Sequence, residues 1–220
     1  MKKTICSALI TAAFCMSAPA LAADTADTLI TARQMLDVRT GKMIANPQIL
    51  VRDGRIISVK QNGSVNTDSK IQKIDLAGMT LVPGLIDMHV HLDTDPTYGG
   101  YSSLQYNDRF WSMLNVPHAS RTLEAGFTTV RTLGSDAWND IGLRQAIDEG
   151  KVPGPRIVAA AYSFGATGGH CDSTFFPPSM NQQSPFNADS PEEGRKRVRE
   201  IRKHGAQVIK ICATGGVFSH

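Results

Sequence analysis

The chain has 220 residues, 41% hydrophobic and 20% charged, with a formal net charge of +3. That is an ordinary globular composition, long enough for one sizeable core and a small second module. Lys2 and Lys3 lie in a leader segment, and without them the charge is close to neutral, which removes any case for nucleic acid or an anionic membrane surface as partner.

At the start of the chain, Lys2-Lys3 forms a positive n-region and Ile5 to Met16 a short apolar stretch. Ala20-Leu21-Ala22 then supplies a small-x-small cleavage site. The apolar run is too short for a permanent membrane anchor. Residues 1–22 are predicted to be a cleaved signal peptide, with the mature chain starting at Ala23 or Asp24 and exported to the periplasm. Phe14, preceding Cys15, is a poor residue for a lipidation site. Cys171 and Cys212 survive such processing, and an oxidising compartment permits them to pair. The expectation is instead one loop thiol and one buried strand thiol.

Leu29 to Val82 reads as short strands joined by tight turns. Ile49-Leu50-Val51 and Ile56-Ile57-Ser58-Val59 flank Asp53-Gly54, a hairpin signal. Gly41 and Asn62-Gly63 are further turn punctuation. Residues 23–82 are thus expected to form a small β module.

After Pro83-Gly84 the rhythm becomes strand, helix, strand. Leu85 to Val90 is a buried strand. A helical stretch between Ser102 and Ala125 ends at Gly126, and Pro117 is expected to kink or split it. Thr128 to Val130 is a second strand, Trp138 to Glu149 a helix closed by Gly150, and Arg156 to Tyr162 a third strand. Ser190-Pro191-Glu192-Glu193 opens a helix with an N-cap, a proline at the first helical position and a glutamate three residues after the cap. Lys203 and His204 occupy its last turn and Gly205 ends it. Val208 to Ala213 is a fourth strand. Repeated βα units imply a parallel sheet with right-handed crossovers. A closed (β/α)8 barrel needs eight units and only four are present, so the sequence reads either as part of a barrel or as another fold.

Asp87-Met88-His89-Val90-His91, at the C-terminal end of the first parallel strand, carries the strongest chemistry. Residues i and i+2 of a strand share a face, so His89 and His91 are expected to project together, and two imidazoles so placed can hold one divalent metal. Asp87 shares that face one step deeper and is a candidate weak ligand or orienting carboxylate. Lys210 inside an apolar strand is an expensive burial without a partner. Tyr98, Tyr101 and Tyr106 are candidates for a pocket wall, and His118 and His204 read as helix residues. His220 has no assigned role.

Leu81-Val82-Pro83-Gly84-Leu85-Ile86-Asp87-Met88-His89-Val90-His91 resembles the signature of the amidohydrolase superfamily. Glu124 to Arg131, Thr167-Gly168-Gly169-His170-Cys171-Asp172, and Ile209 to Val217 resemble the branch of imidazolonepropionase-like enzymes and Xaa-Pro dipeptidases. The fold this resemblance implies is α/β: the first half of a (β/α)8 TIM-type metal-dependent hydrolase barrel over residues 83–220, preceded by part of a small β-sandwich over 23–82.

By the same resemblance, His89 and His91 match ligands of the more buried of two divalent metal ions, with zinc as the expected metal. Lys210 matches a lysine carboxylated on its amine that bridges them. A lysine reacts with carbon dioxide only when neutral, and burial near cations favours that state. His170 matches a histidine binding the substrate's carboxylate or reacting carbonyl. In such enzymes two metals polarise the scissile carbonyl and generate a bridging hydroxide. Two more histidines and an aspartate acting as general base and acid belong to later strands. They are expected beyond residue 220, so these residues alone contain no catalytic aspartate and are expected to be inactive, and poorly stable with open sheet edges.

The implied activity is metal-dependent hydrolysis of a C–N bond in a small-molecule or dipeptide substrate, in the manner of an Xaa-Pro dipeptidase. A cyclic amidase or deaminase, usually working with one metal and no carboxylated lysine, is the alternative. A truncated, non-catalytic product is a third reading. A homo-oligomer is compatible with all three.

Overall fold

The computed structural model describes residues 27–62 and 71–216; the predicted signal peptide and His220 lie outside these. The chain divides into two compact units, Met1–Pro83 and Gly84–His220.

The first unit is a five-stranded sheet. Its central strand β1 (Thr28–Asp37) pairs antiparallel with β2 (Lys42–Ala45) through its second half and with β3 (Pro47–Arg52) through its first half. Beyond β3 lies β4 (Arg55–Gln61), and β5 (Gln72–Leu81) runs parallel to β1 along its other edge. The β3–β4 connection is the expected Asp-Gly turn. Asp53 and Gly54 both take positive φ, 48° and 69°, as a two-residue hairpin whose twist matches its strands requires. Leu29, Ala32 and Ile49 are buried, whereas Ile56, Ile57 and Met79 are exposed, because the described residues of this unit form one sheet without a covering layer.

The second unit alternates strand and helix. β6 (Leu85–Val90) is followed by α1 (Asp108–Glu124), β7 (Phe127–Thr132), α2 (Asn139–Asp148) and β8 (Arg156–Ala159). β6, β7 and β8 pair in parallel in sequence order. The third strand is shorter than expected because the chain breaks at Ala161, whose φ is 58°. It resumes as β9 (Phe164–Gly165), and after α3 (Pro191–Lys203) β10 (Ile211–Cys212) pairs parallel to it. Four strand positions side by side in sequence order are the opening half of a (β/α) barrel.

Helix α1 begins later than expected, at the Asn107 cap, whose side chain accepts the Arg109 N–H at 2.9 Å. It passes through Pro117 without splitting. The missing N–H removes one helical hydrogen bond, and the fully buried Ala119 two residues on anchors the second half. In α3 the Ser190 hydroxyl accepts the Glu193 N–H at 3.2 Å, while the Glu193 carboxylate accepts the Asp189 N–H at 2.7 Å. The core between sheet and helices is built from Val130, Ile157, Ala159, Ile141, Leu143, Phe164 and Ile201. Its rigidity fixes where the strand ends point.

Candidate metal centre

At the C-terminal ends of these strands lies a cavity of about 460 Å³, a volume ordinary for a small-molecule site. His89, His91, His170 and Lys210 all line it, although they come from three separate segments of the sequence. Asp87, Tyr98, Tyr101 and Tyr106 do not.

The His-x-His pair is set by a bulge rather than by simple alternation. Asp87 pairs with Val130 and Val90 with Thr132, so β6 takes three steps against two on β7. The Asp87 carboxylate fills the break by accepting the backbone N–H of His89 at 3.0 Å, and the Arg131 side chain donates to the Met88 carbonyl at 2.7 Å. Asp87 thus orients the backbone of His89, and its side chain does not line the cavity. The two imidazole centroids stand 5.3 Å apart at 58°.

His91 Nδ1 lies 3.0 Å from the Gly134 carbonyl oxygen. A carbonyl only accepts, so Nδ1 carries a proton, and in the neutral imidazole the lone pair then sits on Nε2, the tautomer a metal ligand needs. Desolvation, and then the charge of neighbouring basic groups, with Lys210 first in its uncarboxylated ammonium form, push the His89 imidazole below its usual pKa, with Asp87 opposing. His89 is thereby kept neutral and able to donate a lone pair.

Lys210 sits just before β10, not inside a long strand. Gln207 and Val208 both direct their N–H groups to the Ala159 carbonyl, at 2.8 and 3.3 Å, so regular pairing begins only at Ile211. The half-buried Lys210 side chain still reaches the cavity. His170 is held by its backbone N–H on the Thr214 carbonyl at 3.3 Å, and Gly216 packs directly against its imidazole. Beside it, Cys171 is disulfide-bonded to Cys212, with Cα atoms 5.7 Å apart. This corrects the expectation of two separate thiols: sequence separation conceals that the loop folds back onto the fourth strand.

Asp172 is a structural carboxylate. Burial opposes its ionisation, but hydrogen bonds from the backbone N–H groups of Gly168, Ser184 and Ser173 outweigh that and hold it below the usual range. The tyrosines proposed for the wall pack elsewhere. Tyr98 and Tyr106 join Phe110 and Trp111 in an aromatic cluster, and Tyr101 meets Phe176. His118 binds the Leu92 carbonyl at 2.8 Å, and His204 caps α3 against Trp138.

Among the lining residues that escaped the sequence reading are Asp136 and Tyr162. Both follow strand ends, the positions that face a barrel mouth, and that rule could have found them. The protein packed around it, and then the neighbouring Asp93 carboxylate, push the Asp136 carboxyl above the usual carboxylate range, with His91 opposing, although the residue is open on its solvent side.

Among the described residues, no group of three or more His, Cys, Asp or Glu is placed to hold a metal. His89 and His91 offer two imidazole donors, and a carboxylated Lys210 would add an oxygen donor. The residues present therefore fit part of a divalent-metal ligand set.

The second unit thus carries a His-x-His pair and a lysine at the strand ends of a parallel βα sheet. The chain belongs to the Amidohydrolase family, whose model matches residues 80–220. It is similar to an ochratoxinase of Aspergillus niger, 30% identical over 163 residues that cover 63% of this chain and 32% of that protein. It also resembles the crystal structure of an Xaa-Pro dipeptidase with bound methionine in the active site, with TM-score 0.78 and 33% identity, covering 88% of this chain and 48% of that one. A prolidase complexed with N-methylphosphonate-L-proline matches with TM-score 0.74 and 30% identity, over the same shares. The chain thus spans about half the length of those solved structures and about a third of the curated relative.

Proposed function

We propose that the protein of which these residues form part is an exported, metal-dependent hydrolase of C–N bonds, acting on a dipeptide in the manner of an Xaa-Pro dipeptidase. The observation that carries this reading is the meeting of His89, His91, His170 and Lys210 in one cavity. The likeness to an Xaa-Pro dipeptidase and a prolidase supports the dipeptide as substrate.

Each group has a task that its surroundings suit. His91, with Nδ1 committed to Gly134, presents Nε2 to a metal. His89 beside it is kept neutral. Lys210, carboxylated, would supply an anionic oxygen donor. Divalent metals held there would supply Lewis acidity toward the scissile carbonyl. His170, on a loop tied to the fourth strand, would bind the substrate's carbonyl or carboxylate. The disulfide also supports export, since such bonds persist in oxidising compartments.

The test is a panel of Xaa-Pro and other dipeptides, with cyclic amides and aminopurines for comparison, presented to the zinc-loaded full-length protein. Hydrolysis of dipeptides, lost together with metal in Lys210→Ala, supports the reading. Turnover confined to cyclic amides or aminopurines, with Lys210→Ala keeping full metal and activity, would transfer the assignment to the cyclic amidase or deaminase alternative.

A further inference from the structure

We infer that Asp136 is a specificity-determining residue that receives a cationic group of the substrate, the free α-ammonium on the amino side of the scissile bond. This deepens the dipeptidase reading and rests on it. Asp136 lines the same cavity as the His-x-His pair and Lys210.

The cavity has a second carboxylate, Asp172, but that one is saturated by the N–H groups of Gly168, Ser173 and Ser184 at 2.8–2.9 Å. Asp93, behind the wall, is buried and accepts from the Ser135 hydroxyl, the Asp136 N–H and Asn139. Among the described residues, the Asp136 carboxylate itself accepts no hydrogen bond and has no basic group within ion-pair distance. Among the described residues it is the one carboxylate on the cavity wall that accepts no hydrogen bond and so is left for a ligand.

Its position is held firmly. The Asp136 N–H goes to Asp93 at 3.1 Å, and the next N–H, of Ala137, goes to the Tyr162 hydroxyl at 2.7 Å. Ala137 and Trp138 then take left-handed conformations, φ 48° and 61°, that side chains other than glycine rarely adopt. Trp138 is kept there by rings of Tyr162, Phe186 and His204. A carboxylate fixed by its backbone while its oxygens stay free is suited to bind a cation without reordering.

An ammonium ion is the substrate cation that a dipeptide offers. The metal-ligating groups must act on the carbonyl, one bond from the carbon bearing that ammonium. Asp136 lines the cavity with His91 and lies close enough to it for the two to interact electrostatically, and this nearness to the metal-ligating pair favours the amino side of the cleaved bond.

The experiment compares alanyl-proline with propionyl-proline, which differs only in lacking the ammonium, on the full-length protein. Binding is measured by calorimetry on metal-free enzyme, and turnover on the zinc-loaded form. The wild type is expected to prefer alanyl-proline by about tenfold to a hundredfold, the range of one charge-assisted hydrogen bond. Asp136→Asn should erase the preference by weakening alanyl-proline alone, with metal content and propionyl-proline binding unchanged, and Asp136→Glu should restore part of it. Equal affinity of the wild type for the two ligands, including no measurable binding of either, overturns the inference. So does Asp136→Asn weakening both alike, or neither. A clear binding preference without turnover leaves this inference standing and counts against the hydrolase reading instead.

Discussion

Replacing Cys171 and Cys212 together by serine opens a covalent loop that spans a sequence separation of 41 residues. The chain-entropy relation for a loop of that length gives about 4 kcal/mol of lost stability at 25 °C. Native contacts at the same junction survive the change: His170 N–H to Thr214 at 3.3 Å, Phe164 N–H to Lys210 at 3.2 Å and Ala188 N–H to Gly165 at 2.9 Å. The loss should therefore come from the unfolded chain's new freedom, with the native geometry largely kept. Urea unfolding of the full-length protein measures it. With a slope of about 2 kcal/mol/M, the midpoint should fall by about 1–2 M at constant slope. Intact mass should rise by two hydrogens when the wild type is reduced. Midpoints that agree within the extrapolation error of about 10–15% would refute the entropic argument. Two thiols reactive in the native, unreduced protein would refute the cross-link itself.

Gly216→Ala sets a Cβ where the His170 imidazole now lies. Because displacements of about 1 Å can cost a hundredfold in rate, kcat/KM for a dipeptide should fall by at least about tenfold with metal content unchanged. Equal kinetics would show that His170 does not act from this position. Ile201→Ala removes a fully buried side chain between α3 and the sheet and should cost about 2–5 kcal/mol in urea unfolding. Burial lifts the Asp140 carboxyl above its reference value of 3.8, against hydrogen bonds from Thr132 and Ala161. A raised acid holds more protons folded than unfolded, so its contribution is full below 3.8 and is lost as pH rises through the folded-state pKa. Asp140→Asn should lack that decline when urea midpoints are compared across the acidic range, and an unchanged slope of stability against pH would remove Asp140 as its cause.

What was legible in the sequence was what is local. The Asp53-Gly54 hairpin, the Ser190 cap and the Gly150 and Gly205 helix ends each depend on a few adjacent residues, and all appear where expected. Strand lengths were less legible. Val208 to Ala213 has strand composition throughout, yet the shared acceptor at Ala159 delays regular pairing until Ile211. No window of sequence contains that partner. The same limit hid the pairing of Cys171 with Cys212.

The site divides along the same line. His89, His91, His170 and Lys210 were visible because each sits in a short segment resembling a known family, and the fold brings those segments to one cavity. Asp136 belongs to no such segment, and the bulge that ties Asp87 to the backbone of His89 could not be seen in the alternation of the strand. The bulge is what separates the two carboxylates: it turns Asp87 to the His89 backbone and leaves the cavity wall to Asp136. The Asp87 carboxylate gives one oxygen to the backbone of its own strand, whereas the Asp136 carboxylate lines the cavity and accepts no hydrogen bond among the described residues. The irregularity in β6 therefore bears on which acid a substrate meets.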